Sequence, residues 1–205
     1  MSVYTIVMII FTIVLATIYV LRILLTSYYQ KQFVRVLETV NEEEFNELYN
    51  NKIVKYVIPP FNLEYMKLNL YLIENKKKQI DSQFEFLLSM KKSKMQDKEI
   101  MVKSFNYYVK LRDKKRCSGL LIKIKECGDQ KTIEESVLLY DIYILQKSSH
   151  IEKLLENLED MSLTQRSINE YLIALQYENE KEMVLSKKYF DLSKEHIKCA
   201  LTNEK

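Results

Sequence analysis

The chain has 205 residues, 31 Lys and Arg against 28 Asp and Glu, and a formal net charge of +3. So small a surplus gives no broad electrostatic pull toward nucleic acid, and the length allows one domain with a real core or a short array of repeats. Three cysteines, Cys117, Cys127 and Cys199, are odd in number and lack paired spacing, which argues against a disulfide framework or a zinc knuckle and agrees with a reducing compartment.

Residues 2–21 carry no charge, and the apolar run continues past Arg22 into Ile23, Leu24 and Leu25. That length crosses a bilayer as one helix, so residues 1–26 are expected to form a single-pass transmembrane anchor. A helix buried in a protein core is the alternative reading of the same run. Met1 to Thr5 hold no Lys or Arg and no small-residue cleavage site follows, a pattern unlike a secretory signal peptide. Arg22, Lys31 and Arg35 all follow the span, which favours a cytoplasmic location for the C-terminal portion. Tyr4, Tyr19, Tyr28 and Tyr29 suit the two interfaces.

Residues 27–60 read as a juxtamembrane helical segment. Asn41 can cap a helix whose first turn holds Glu42, Glu43 and Glu44, and Phe45, Leu48 and Tyr49 form its apolar face. Adjacent carboxylates on a helix diverge, so the triplet reads as a solvated helix start and no metal site is expected. Pro59-Pro60 ends the segment.

Residues 61–205 alternate apolar-periodic helices with short polar turns. The pattern restarts at Glu64, Glu99, Glu135 and Arg166, a spacing of roughly 35 residues. Two Gly and two Pro in the whole chain favour long helices over sheets. Gly119 either lets its helix cross a neighbour closely or precedes a helix that begins near Leu120; Gly128 reads as a helix stop, and Ser162 or Thr164 as a cap.

The last unit resembles the tetratricopeptide repeat family. Ile173, Ala174 and Tyr177 match the first helix, Ser186, Phe190 and Ser193 the second, with Lys181 where a turn glycine is usual and Met183 at the following aromatic position. The resemblance implies an all-α fold, a short right-handed array of antiparallel hairpins whose first helices line a concave surface. On that surface Tyr65, Tyr107, Tyr140 and Tyr171 would contact a bound protein or peptide, whereas Tyr71, Tyr108, Tyr143 and Tyr177 would pack between helices.

Lys76, Lys77 and Lys78, and Arg112, Lys114, Lys115 and Arg116, fall at successive hairpin turns. Stacking would bring them to one basic edge, either a set of solubilising turns or a site for anionic headgroups or an acidic peptide. The two histidines, His150 and His196, lie in separate units, and no phosphate loop, HExxH or nucleophile elbow is present. The expected role is therefore that of a membrane-tethered adaptor or assembly platform, with no enzymatic activity and no cofactor. The alternative is a regulatory or sensory membrane component that binds lipid headgroups or nucleic acid through the basic edge.

Overall fold

The computed structural model describes residues 2–156 and 158–203, and every regular element among them is helical. The chain divides into two compact units, Met1–Ser93 and Lys94–Lys205.

The first unit begins with α1 (Val3–Thr39), 37 residues in one helix. At 1.5 Å per residue it extends about 55 Å, more than the roughly 30 Å of hydrocarbon in a bilayer. Every residue from Tyr4 to Leu25 is exposed, and this part is long and apolar enough to cross a membrane. The hydroxyls of Thr12 and Thr17 donate back to the carbonyls of Met8 and Ile13 at 2.8 and 2.9 Å, so neither presents an unmet donor. The buried-helix alternative is thereby removed for this unit, because none of the most apolar stretch is covered by protein.

Beyond Leu25 the same helix enters a core. Phe33 and Val36 are fully buried and pack with Phe45, Val54, Val57, Ile58, Leu63 and Leu70. Two helices follow where the sequence suggested one. Asn41 caps α2 (Glu42–Asn50) by accepting from the Glu44 N–H at 3.1 Å. Asn51 then leaves the helical region, and its side chain caps α3 (Lys52–Val57) through the Ile53 N–H at 2.8 Å. Pro60 opens α4 (Pro60–Ile73), where its missing N–H costs nothing, and α5 (Lys77–Ser89) packs back on α4.

The second unit contains α6 (Lys94–Lys110), α7 (Lys114–Cys127), α8 (Gln130–Tyr143), α9 (Ile151–Leu155), α10 (Leu163–Asn179) and α11 (Met183–Asn203). The pairs α6/α7 and α10/α11 are hairpins, and α8 packs on α6, α7 and α10. The third sequence unit departs from the expected hairpin: its second helix shrinks to the five residues of α9, which packs on α10. Leu154 and Leu158 there join Ile142, Leu172, Ile173 and Leu175 in a core.

One turn geometry recurs in both units. Asn75, Arg112, Gln146 and Lys181, each just after α4, α6, α8 and α10, have φ of 53°, 54°, 54° and 65°. After three of them the next N–H reaches back to a tyrosine carbonyl: Lys76 to Tyr71 at 3.0 Å, Asp113 to Tyr108 at 3.0 Å and Glu182 to Tyr177 at 2.9 Å. This is the reversal that glycine usually makes at a helix C-terminus, made here by larger residues.

Gly119 corrects both sequence expectations. It lies inside α7, and a Cβ there would meet nothing within 4 Å, so it neither permits a close crossing nor precedes the helix. Gly128 ends α7 in an extended conformation, with its ideal Cβ position 2.6 Å from the Ile124 carbonyl oxygen. Ser162 caps α10. In the α10/α11 seam Ala174, Ser186 and Ser193 are buried, whereas Met183 is 62% exposed and does not fill an aromatic packing position.

Candidate functional site

The residues expected to bind a partner fall in both units. In the first, Tyr65 is partly buried on α4, its ring stacked at 6.0 Å on Phe61. Lys76 in the α4/α5 turn pairs with Glu42 at 2.7 Å and Glu74 at 3.0 Å. Its bonds to Glu42 and Glu74 hold the ammonium above its ordinary pKa, whereas Lys77 and Lys78 are exposed. Sequence reasoning missed a network behind them: the Tyr49 hydroxyl donates to Glu64, and Gln83 Nε2 donates to the other Glu64 oxygen at 2.7 Å and to its carbonyl at 3.1 Å. Burial pushes the Tyr49 phenol up, and the Glu64 carboxylate pushes it further.

In the second unit Tyr107 packs edge-on against Tyr108 at 5.2 Å. The Arg116 guanidinium lies 4.7 Å from the centre of the Tyr108 ring and 3.4 Å from Asp113. Tyr140 is partly buried, its hydroxyl 2.8 Å from Ser118 Oγ. Tyr171 is 43% exposed, and one side of its ring meets Phe190 edge-on at 5.3 Å. Burial pushes the Tyr143 phenol up to about 12, Tyr171 adds to the shift, and the positive charge of Arg112 opposes it.

Tyr171 and Phe190 thus meet between α10 and α11, and Tyr143 on α8 stands within electrostatic reach of Tyr171 and of Arg112 in the α6/α7 turn. Exposed Lys114 and Lys115 open the helix after that turn. The sequence had separated these groups, with Arg112 on a basic edge, Tyr171 on a concave face and Tyr143 in packing. The left-handed turn at Arg112 and the end of α8 bring them within electrostatic reach, and no residue period announces such an arrangement. The surface offers aromatic area, phenol hydroxyls and a guanidinium, a combination that suits an acidic or aromatic protein segment.

A separate cleft of about 450 Å³ lies between α8 and α9, lined by Ile133, Val137, Leu138, Leu154 and His150. His150 is not a free surface side chain. Its Nε2 lies 3.0 Å from Asp141, which also meets Lys147 at 3.0 Å, and its backbone N–H donates to Gln176 at 2.9 Å. Burial pushes the Asp141 carboxyl up, but the bonds from His150 and Lys147 outweigh it and hold the group below its usual range. His196 is tied down in the same way: its Nδ1 lies 2.7 Å from Glu170, which is 1% exposed and also meets Arg166 at 3.1 Å. Among the described residues no group of three or more His, Cys, Asp and Glu side chains converges as a metal site would.

No family model, no curated protein and no solved structure matches the chain.

Proposed function

We propose that this protein is a membrane-tethered adaptor whose helical region binds another protein, with α1 as a single-pass anchor and the C-terminal portion on the cytoplasmic side. The observation that carries the binding role is the Tyr171–Phe190 ring pair, with Tyr171 43% exposed and Tyr143 within electrostatic reach of both Tyr171 and the Arg112 charge. The anchor rests on the exposed apolar run from Tyr4 to Leu25, and the orientation on Arg22, Lys31 and Arg35 after it. The reading as a looser relative of the tetratricopeptide repeat is supported by the recurrent left-handed turns and by the small buried residues of the α10/α11 seam. The role proposed for the Tyr171–Phe190 surface is recognition rather than turnover.

The basic edge takes second place as a binding site. Lys76 already holds two carboxylates, and Arg116 holds Asp113 and the Tyr108 ring, so fewer free cations remain than the runs suggest. The test is crosslinking of full-length protein in membranes from a photoreactive side chain at position 171, followed by mass spectrometry. A defined protein partner whose affinity falls about tenfold with Arg112→Glu or Tyr171→Ala, the loss of one hot-spot contact, supports the adaptor. Crosslinks only to lipid, unchanged by either substitution, reject it.

A further inference from the structure

Where α1 leaves the apolar run, α3 lies alongside it. Ile18, Leu21, Leu25, Ile53 and Tyr56 line a cleft of about 350 Å³ between the two helices, with Arg22 beside them. The Thr26 hydroxyl, shared with the Arg22 carbonyl at 2.8 Å, also reaches the Val57 carbonyl at 3.2 Å and so places the end of α3 against α1. One face of α3 is buried, Val54 and Val57 in the core. Its other face points out: Ile53 is 50% and Tyr56 76% exposed, spaced three apart, and Lys52 and Lys55 are exposed beside them.

We infer that α3 is a bilayer-interface element, in which Ile53 and Tyr56 enter the boundary between headgroups and acyl chains while Lys52 reaches the phosphates and the Lys55 ammonium stays on Asn50 and the Tyr49 ring. This rests on the reading of α1 as a membrane span. If α1 crosses from Tyr4, about 20 residues bring the hydrocarbon boundary to the level of Ile23, which is the level of the α3 cleft. The exposed apolar face of α3 is then continuous with the lipid-facing surface of α1. A tyrosine beside an isoleucine, with Lys52 next to them, is the chemistry of that zone: the ring takes the wet and dry sides, and the Lys52 stem lies on acyl chains with its charge in the headgroups. The consequence is a first unit seated on the membrane, with α1 and α3 as two points of attachment.

The chain has no tryptophan, so single-tryptophan probes read depth directly. Full-length V14W, V34W and Y56W are reconstituted into phosphatidylcholine vesicles brominated either near the headgroup or deep in the acyl chain, and emission is compared. All three positions are exposed, and α1 serves as its own ruler, with Val34 about 16 Å beyond Ile23. The expected result is V14W quenched most by deep bromines, V34W unquenched, and Y56W blue-shifted and quenched most by shallow bromines. Y56W behaving like V34W while V14W is quenched deeply overturns the interface element and leaves the anchor standing. Y56W blue-shifted but unquenched also overturns it, since protein, such as a second copy, then covers the face. V14W unquenched removes the anchor itself.

Discussion

Lys181 holds a backbone conformation in which its Cβ crowds the adjoining carbonyl, with φ at 65°. The left-handed region costs a non-glycine residue about 1–2 kcal/mol, part of which glycine gives back as greater unfolded-chain entropy. Lys181→Gly is therefore expected to raise stability by about 0.5–1 kcal/mol in thermal unfolding followed by circular dichroism. Gly119 is the converse case: a Cβ in the middle of α7 meets open space, so Gly119→Ala gains about 1 kcal/mol from helix propensity. Gly128→Ala is expected to lose about 1–3 kcal/mol, because the new carbon stands 2.6 Å from a carbonyl oxygen. The sequence could not rank these three sites. Glycine in a helical pattern says that something differs, but only the space around the missing Cβ gives the sign. The cysteines divide on the same ground. Cys117 is buried, and burial, reinforced by Asp113, pushes its thiol up to about 12, while Cys127 and Cys199 are exposed. An aromatic disulfide reagent at mildly alkaline pH is expected to react rapidly with the two exposed thiols and with Cys117 only on unfolding.

At the scale of elements, capping and proline chemistry were legible: Asn41 and Ser162 start helices, and Pro60 stands at a first helical position. The break at Asn51 was less so, because residues 41–56 keep helix-forming composition on both sides and only the side-chain bond from Asn51 to the Ile53 N–H marks the new start. The third hairpin failed for a related reason. Residues 144–150 leave the helix early, and polar groups occupy the connection: Asp141 takes His150 and Lys147, and Asn179 donates to the carbonyls of Ile142 and Lys147 at 3.1 and 3.4 Å. The Asp141–His150 bond joins the end of α8 to the start of α9, and the Asn179 bonds tie the end of α8 to the end of α10. A carboxyl held below its ordinary pKa in the folded state adds stability that is complete above the unfolded value, near 3.9, and is lost as pH falls through the folded value. Asp141→Asn should therefore destabilise the protein at neutral pH and flatten its loss of stability below about pH 4. Equal acid dependence in the two proteins, followed by denaturant unfolding across that range, would show that Asp141 is not the linked group.

At the scale of the molecule, the exposed apolar run of α1 was written in the sequence as an absence of charge, while the grouping of Arg112, Tyr143 and Tyr171 was not written at all. Arg112, Tyr143 and Tyr171 are far apart along the chain, and their electrostatic proximity depends on where α8 packs, which a helical period leaves open. What the period does fix is how much apolar area each helix must cover, and here the two units differ in kind. The first spends the leading half of α1 outside any protein core, with exposed Ile, Val, Leu and Phe side chains from Ile6 to Leu25. The second holds a core cluster of its own, in which Ile142, Leu154, Leu158, Leu172, Ile173 and Leu175 pack together. Residues 94–205 are accordingly expected to fold without detergent, as a helical domain with one cooperative thermal transition, because among the described residues none of their helices is long and apolar enough to cross a membrane. Residues 1–93 are expected to precipitate unless detergent or lipid covers α1, since an exposed patch of that extent is far larger than soluble surfaces carry. Circular dichroism and size-exclusion chromatography of the two fragments check both statements. A 94–205 fragment that is helical only in detergent would mean that its core is completed by something other than its own helices.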